Sequence, residues 1–337
     1  MTLNPVEIIA EVGQAHDGSL GAAHAYIDAL AGTGIKAVKF QVHIAHAESS
    51  IEEPFRVKFS KQDATRFDYW KRMEFTPEQW IGLKMHCEDM GLEFLASPFS
   101  IAAVNLLEGI GVQRYKIGSG EMSNLLMLEC IARLGKPIIL SSGLSTFDDL
   151  DQTIEFLQPY KCALSLLQCT TRYPTRASDV GLNVINELKI RYGLPVGLSD
   201  HSGTVFAPLA AVAFGAEIIE FHIVFDRRSF GPDSSSSLEI REIPELVSGI
   251  KFISQSVMSP IDKSTISVDP ELLRIFGKSL SVNANLPIGH RLRLEDLESK
   301  KPSSMGIPAS EYRRVIGSKL ARSMRAWEFL NESDLSD

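Results

Sequence analysis

The sequence predicts an α/β fold: a (β/α)8 TIM barrel over residues 1–257, a linker at 258–275 and a small module at 276–337. Three observations predict it. Eight apolar runs of strand length recur along the first three quarters of the chain, and each is followed by a segment of helical periodicity. The runs are apolar nearly throughout, as parallel strands covered on both faces should be. Past residue 257 this rhythm stops, and polar, proline-containing sequence gives way to short strands and turns.

The elements follow in order. VEIIAEVG (6–13) leads into LGAAHAYIDALAG (20–32), closed by Gly32 as a C-cap. AVKFQVH (37–43) is the second strand. In TPEQWIGLKMHCEDMG (76–91), Thr76 is an N-cap, Pro77 fits the first helical position, and Gly91 closes the helix. EFLASPF (93–99) precedes SIAAVNLLEGIG (100–111), and RYKIGSG (114–120) precedes SNLLMLECIARLG (123–135). PIILSSG (137–143) pairs with STFDDLDQTIEFL (145–157), and CALSLLQC (162–169) with DVGLNVINELKIRY (179–192). PVGLSDH (195–201) pairs with TVFAPLAAVAFG (204–215), and EIIEFHIV (217–224) with REIPELVSGIKFISQSV (241–257). Residues 44–75 are too long for a simple connection. With their basic and aromatic residues they form either a lid over an acidic substrate or a solvated excursion with a short helix.

Composition excludes several classes. The net charge of -8 offers no footprint for a nucleic-acid backbone. No apolar run reaches the roughly 18 residues of a membrane span. The opening MTLNPVEIIAEVG lacks the features of a secretory signal, so a cytoplasmic protein is expected. The four cysteines form no C-x-x-C pair, and reduced, buried thiols are expected.

In such a barrel chemistry sits at the C-terminal ends of the strands. Those ends carry Glu11, Lys39, Gln41, Ser97, Lys116, Ser119, Glu121, Ser141, Ser142, Thr170, Thr171, Tyr173, Ser199, Asp200, His201 and His222. Lysines within apolar strands are costly unless they neutralise an anion. Lys39 and Lys116, with Ser97, Ser119, Ser141 and Ser199, make a cradle for phosphate and carboxylate groups. Each serine alone serves equally well as a helix cap. His201 and His222 end neighbouring strands and can share a divalent ion in an open shell. Asp200 is placed to orient its neighbours, and Asp233 lies above the same mouth.

Taken together, IIAEVGQAHDGSL, AVKFQ, FLASPF, KIGSGEMSN, PIILSSG, CTTRYPT, GLSDH, EFHIVFDRRSFGPD and KKPSSMGI resemble the sialic acid synthase family over nearly the whole chain. The resemblance implies a TIM barrel followed by an antifreeze-like (SAF, β-clip) domain, in a domain-swapped homodimer. It implies condensation of phosphoenolpyruvate with an N-acylated amino sugar of the N-acetylmannosamine type. The products are a nine-carbon 2-keto-3-deoxy acid and phosphate. It implies a divalent metal, Mn2+ with Mg2+ or Co2+ as alternatives, on His201 and His222. Lys39, Ser97, Lys116, Ser119, Ser141 and Ser199 then correspond to the phosphoenolpyruvate site. Thr171 falls where members carry Asn or Ser. Glu11, Gln41, Tyr173 and Asp233 correspond to groups near the sugar and the metal's water, and Glu121 to a carboxylate beside the reacting carbon. Two departures concern the sugar: Ser234 stands where a His is common, and Lys301 where an Arg is expected, without its planar fork. Two other readings fit a barrel with lysines at its mouth. One is a Schiff-base aldolase using Lys116 or Lys39; the other is a non-catalytic sugar-binding barrel.

Overall fold

The structure, a computed structural model, describes residues 6–265 and 267–336. Eight parallel strands run in chain order around a closed sheet. They are β1 (Glu7–Gly13), β2 (Ala37–Val42), β3 (Glu93–Pro98), β4 (Tyr115–Ile117), β5 (Ile138–Ser141), β6 (Leu164–Cys169), β7 (Val196–Asp200) and β8 (Ile218–Val224). Pairing of β1 with β8 closes the barrel. A two-residue strand, β9 (Leu238–Glu239), extends the sheet beside β8 and was not expected from sequence.

Helices α1 (Leu20–Leu30), α4 (Pro77–Asp89), α5 (Ile101–Ile110), α6 (Leu125–Ala132), α7 (Phe147–Leu157), α8 (Leu182–Tyr192), α9 (Phe206–Ala213) and α10 (Ile243–Met258) connect or follow the strands. Their starts are chemical. Thr76 accepts from the Gln79 amide while Gln79 reaches back, with Pro77 in the first turn. Thr146 and Asp149 repeat this box on α7. Helix α6 begins two residues later than expected because the Asn124 side chain caps the Met127 amide. Residues 44–75 hold two helices, α2 (Ala45–Glu48) and α3 (Arg66–Met73). Ala45, Tyr69, Trp70 and Met73 form their own apolar cluster, with Phe55, Phe59 and Phe67 against it. The main core lies between the sheet and the helices, where Tyr26, Phe40, Trp80, Phe94, Tyr115 and Phe221 are buried.

The chain divides between Pro260 and Ile261. Within the stretch expected to be a linker lies helix α11 (Pro270–Phe276), capped by the Asp269 side chain and started by Pro270. The second unit then pairs β10 (Ser279–Val282) with β11 (Leu297–Lys300), and, after helix α12 (Tyr312–Val315), β12 (Lys319–Leu320) with β13 (Leu335–Ser336). Leu280, Val282, Leu292, Val315, Leu320 and Leu330 are its core. All four cysteines are free; Cys87 and Cys169 are buried, whereas Cys130 and Cys162 are only half-buried. Among the described residues no helix is long and apolar enough to cross a membrane.

Candidate active site

Alternation along the strands builds the site in layers, because residues two apart share a face. Ile9, Ala37, Leu95, Ile139, Leu167 and Ile218 form an apolar plug separate from the main core. Two positions further along the same strands stand Glu11, Lys39, Ser97, Ser141, Cys169 and Glu220, and all six line a pocket of about 340 Å³. Gln41, Lys116, Ser199 and His222 join them from the strands, and Ser119, Glu121, Thr171, Tyr173, His201 and Asp233 from the segments that follow. Register sets the neighbours. Glu11 lies opposite Lys39 on one side and His222 on the other, and Ser199 lies opposite Cys169 and Glu220. Strand β7 needs glycine at 197: an added Cβ would sit 2.0 Å from the Ile218 carbonyl oxygen.

The floor of the pocket is an alternating chain of buried charges. Lys39 Nζ is 2.6 Å from Glu11 Oε1 and 3.7 Å from Glu220 Oε2. Lys116 Nζ is 3.2 Å from Glu220 Oε1, which also accepts from Ser199 Oγ at 2.9 Å. Lys39 donates to Ser97 Oγ at 3.3 Å, and Gln41 Nε2 donates to Glu11 Oε1 at 2.7 Å. Burial alone raises the Glu11 pKa, but His222, Lys39 and Lys116 outweigh it and hold the carboxyl well below its ordinary value. Burial likewise lowers Lys39, and Glu11 and Glu220 more than reverse it, so the ammonium is retained. Four buried atoms of pocket-lining residues have no hydrogen-bond partner: Glu48 Oε2, Ser141 Oγ, Thr171 Oγ1 and Glu220 Oε2. Orphans of this kind await a ligand or water.

Above the floor, the His201 and His222 rings are 5.2 Å apart, with Tyr173 4.2 Å from His201. His201 Nδ1 is 3.2 Å from the Thr170 carbonyl oxygen. That bond makes Nδ1 the donor and leaves Nε2 free as a ligand atom. His222 Nε2 is 3.2 Å from Glu11 Oε2. Among the described residues no group of three or more His, Cys, Asp or Glu is arranged around one ion position. Two imidazoles are fewer donors than a closed shell needs, so an ion held by them would keep open positions, as at a catalytic rather than a structural site. Asp200 is buried, with its pKa pushed up to about 6 by burial, and accepts from the Ser202 amide and hydroxyl, so it fixes the turn after His201.

Residues 44–75 form one wall of the pocket. His43 is stacked between Trp70 and Phe99, at 3.9 and 4.5 Å, and its Nδ1 is 2.7 Å from Glu48 Oε1. Arg56 lies 4.1 Å over the Tyr173 ring and pairs with Asp233 at 2.5 Å. Glu121 accepts from Asn124 at 2.8 Å, and burial keeps its carboxyl above the ordinary value. Lys301 belongs to the second unit, where its ammonium lies 5.0 Å from the Phe276 ring.

Sequence reasoning missed Glu220, Cys169 and the pocket residues of the 44–75 segment other than its general role. Glu220 had a signal: it is a lone carboxylate in an apolar strand, two residues before His222 and therefore on the same face. Arg56 had none, since its partners are more than a hundred residues away.

Comparison with known proteins gives a family. The profile of the NeuB family matches residues 26–261, and that of the SAF domain residues 277–336. The N-acetylneuraminate-9-phosphate synthase of Homo sapiens is 32% identical over 321 residues, covering 94% of this chain and 89% of that protein. The N,N'-diacetyllegionaminic acid synthase of Campylobacter jejuni is 32% identical over 331 residues, covering 96% and 98%. The crystal structure of the N-acetylneuraminic acid synthetase from Leptospira borgpetersenii superposes with a TM-score of 0.69 at 31% identity, covering 80% of this chain and 89% of that one.

Proposed function

The chain belongs to the NeuB family, and from that premise we propose that it joins phosphoenolpyruvate to an N-acylated amino sugar, giving a nine-carbon 2-keto-3-deoxy acid and phosphate. One observation carries the reading. Lys39, Lys116, Glu11 and Glu220 alternate in a nearly dry layer beneath two imidazoles, beside hydroxyls that have no protein partner. A packed interior has no need of such a layer, and an anionic substrate does.

In this reading Lys39 and Lys116, with Ser97, Ser119, Ser141, Thr171 and Ser199, bind the phosphate and carboxylate and fix the enol. Glu11, Gln41, Tyr173 and Asp233 hold the sugar with its carbonyl carbon facing the enol carbon. A carbon–carbon bond forms between the two. Water adds to the phosphate-bearing carbon, and phosphate leaves with cleavage of its C–O bond. Glu121, with a carboxyl raised by burial, takes the proton of that water. His201 and His222 would hold a divalent ion, Mn2+ or alternatively Mg2+ or Co2+. When bound, that ion supplies Lewis-acid polarisation of the sugar carbonyl. The enzyme is a cytoplasmic homodimer in this reading, and light scattering tests its mass.

Lys39 argues against its own use as the Schiff-base amine. Lys39 is held protonated by Glu11 and Glu220, the opposite of a nucleophilic amine. The direct test mixes phosphoenolpyruvate, an amino-sugar panel and Mn2+, with an EDTA control, and follows phosphate together with the 2-keto acid by mass spectrometry. Metal-dependent formation of both is expected. A borohydride-trapped lysine adduct with pyruvate would overturn the reading in favour of the aldolase.

A further inference from the structure

The outer half of the pocket bears on a question that the relatives leave open, since one curated relative makes a 9-phosphate and another does not. Its wall carries four carboxylates: Glu48, Glu53, Glu121 and Asp233. Two guanidiniums face them, and both are taken. Arg56 pairs with Asp233 at 2.5 Å, and Arg66 pairs with Glu53 at 3.0 Å. On the floor, Lys39 and Lys116 are likewise held by Glu11 and Glu220. Among the described residues, every lysine and arginine lining the pocket therefore has a carboxylate partner. Glu48 and Glu121 remain without a lysine or arginine partner. Glu48 Oε1 meets His43, while its Oε2 is buried with no partner at all. Burial first, and then the charge of Glu48, hold the Glu121 carboxyl above its ordinary range against the hydrogen bond of Asn124 and the charge of His43.

Unpaired acceptors call for a ligand that donates, and hydroxyl and amide groups donate whereas a phosphate dianion only accepts. A second phosphate would also meet a wall of net negative charge, four carboxylates against two guanidiniums, whereas the floor balances two lysines with two glutamates. The aromatic part of the same wall, Phe55, Phe59 and Trp70, suits the C–H faces of a sugar. We propose that the amino sugar enters unphosphorylated, with a hydroxyl or a deoxygenated carbon at its far end, so that the product is a free nonulosonic acid and not its 9-phosphate. This inference rests on the synthase reading above and specifies its substrate class.

The test keeps the two apart. The full chain with Mn2+ and phosphoenolpyruvate is given N-acetylmannosamine, its 6-phosphate, and two neutral 2,4-diacetamido-trideoxy sugars, and 2-keto acid formation is measured. The best neutral sugar is expected to exceed the 6-phosphate in kcat/KM by about 100-fold or more, as expulsion of a second anion implies. A 6-phosphate used as well or better overturns the inference and leaves the synthase reading standing. No product from any of the four overturns the synthase reading, and the inference falls with it. A second readout is the ratio of KM values in Asp233→Asn, which frees Arg56. The ratio should move about tenfold toward the 6-phosphate; an unmoved ratio overturns the charge argument.

Discussion

Gly143 offers the sharpest test of where the anion sits. It follows β5, and its amide donates to Ser119 Oγ at 3.1 Å. An alanine Cβ there would lie 2.4 Å from Thr171 Oγ1, 2.7 Å from Ser119 Oγ and 2.9 Å from Cys169 Sγ. Its backbone is not among those with positive φ, so alanine adds no backbone strain. Fewer unfolded conformations would by themselves stabilise the variant by about 0.4–1 kcal/mol. Against this, the Thr171 hydroxyl must retreat by about 1 Å to reach ordinary contact, and overpacking of this kind costs about 1–3 kcal/mol. The atoms that give way are ends of side chains rather than backbone, which favours the lower figure. Gly143→Ala is therefore expected to fold, with stability lower by about 0.5 kcal/mol or less and Tm by about 1 °C. The loss should fall on the ligand. Two displaced hydroxyls, each about 1 kcal/mol as a hydrogen bond to an anion, raise the phosphoenolpyruvate Kd about tenfold or more. Thermal unfolding and calorimetric titration of the same preparation measure both. A folded variant that binds phosphoenolpyruvate as tightly as before refutes the assignment of Thr171 and Ser119 to the anion.

Three further outcomes follow from other parts of the molecule. Glu220→Gln removes one negative charge from between two lysines, so inorganic phosphate should bind about tenfold tighter by calorimetry while kcat falls; weaker phosphate binding would show that Glu220 is not a counter-charge. Arg114 bridges Glu7 and Glu93, at the start of β1 and β3, and does not line the pocket; Arg114→Ala should cost about 2–4 kcal/mol in denaturant unfolding with kcat/KM unchanged. Asp63 is pulled below its ordinary pKa chiefly by Arg72, which also pairs with Asp17 and so ties residues 44–75 to the segment after β1. The folded value is depressed, so this contribution is full above the unfolded carboxylate pKa and is lost as pH falls through the folded one. Asp63→Asn at neutral pH should then lower the amide protection factors of residues 44–75, as acidification is expected to do, and equal protection in both proteins would refute it.

The barrel was legible because each strand is buried on both faces and each helix carries its own start signal. VEIIAEVG and EIIEFHIV read as strands from composition alone, and Thr76-Pro77 and Thr146 mark helices without any tertiary context. The same double burial hid the layering. A strand apolar on both faces gives no alternation, so the inward side appears only through exceptions such as Lys39, Gln41 and Glu220. Attention to strand ends found Glu11 and Lys116 but passed over Glu220, which stands third in a seven-residue strand. The wall built from residues 44–75 was illegible for another reason. Its order comes from contacts such as Arg56 with Asp233 and Tyr69 with Gln14, between residues 177 and 55 positions apart. Lys301 lies 5.0 Å from the Phe276 ring of its own unit, a contact that no spacing announces.

Charge balance explains why the site needs more than lysines. Lys39 and Lys116 look in the sequence like two free cations for one anion. In the folded chain Glu11 and Glu220 cancel both before any substrate arrives. That cancellation is what allows two ammonium groups to exist in a layer that is almost inaccessible to water, since an uncompensated pair would lose its protons or destabilise the barrel. It also means that a substrate bearing a phosphate and a carboxylate meets a neutral floor, where attraction must come from dipoles and from charge added with the substrate. The serine and threonine hydroxyls on the floor supply the first. An ion held by His201 and His222 would supply the second. On this view the glutamates are not incidental neighbours of the lysines. They keep the floor stable when empty.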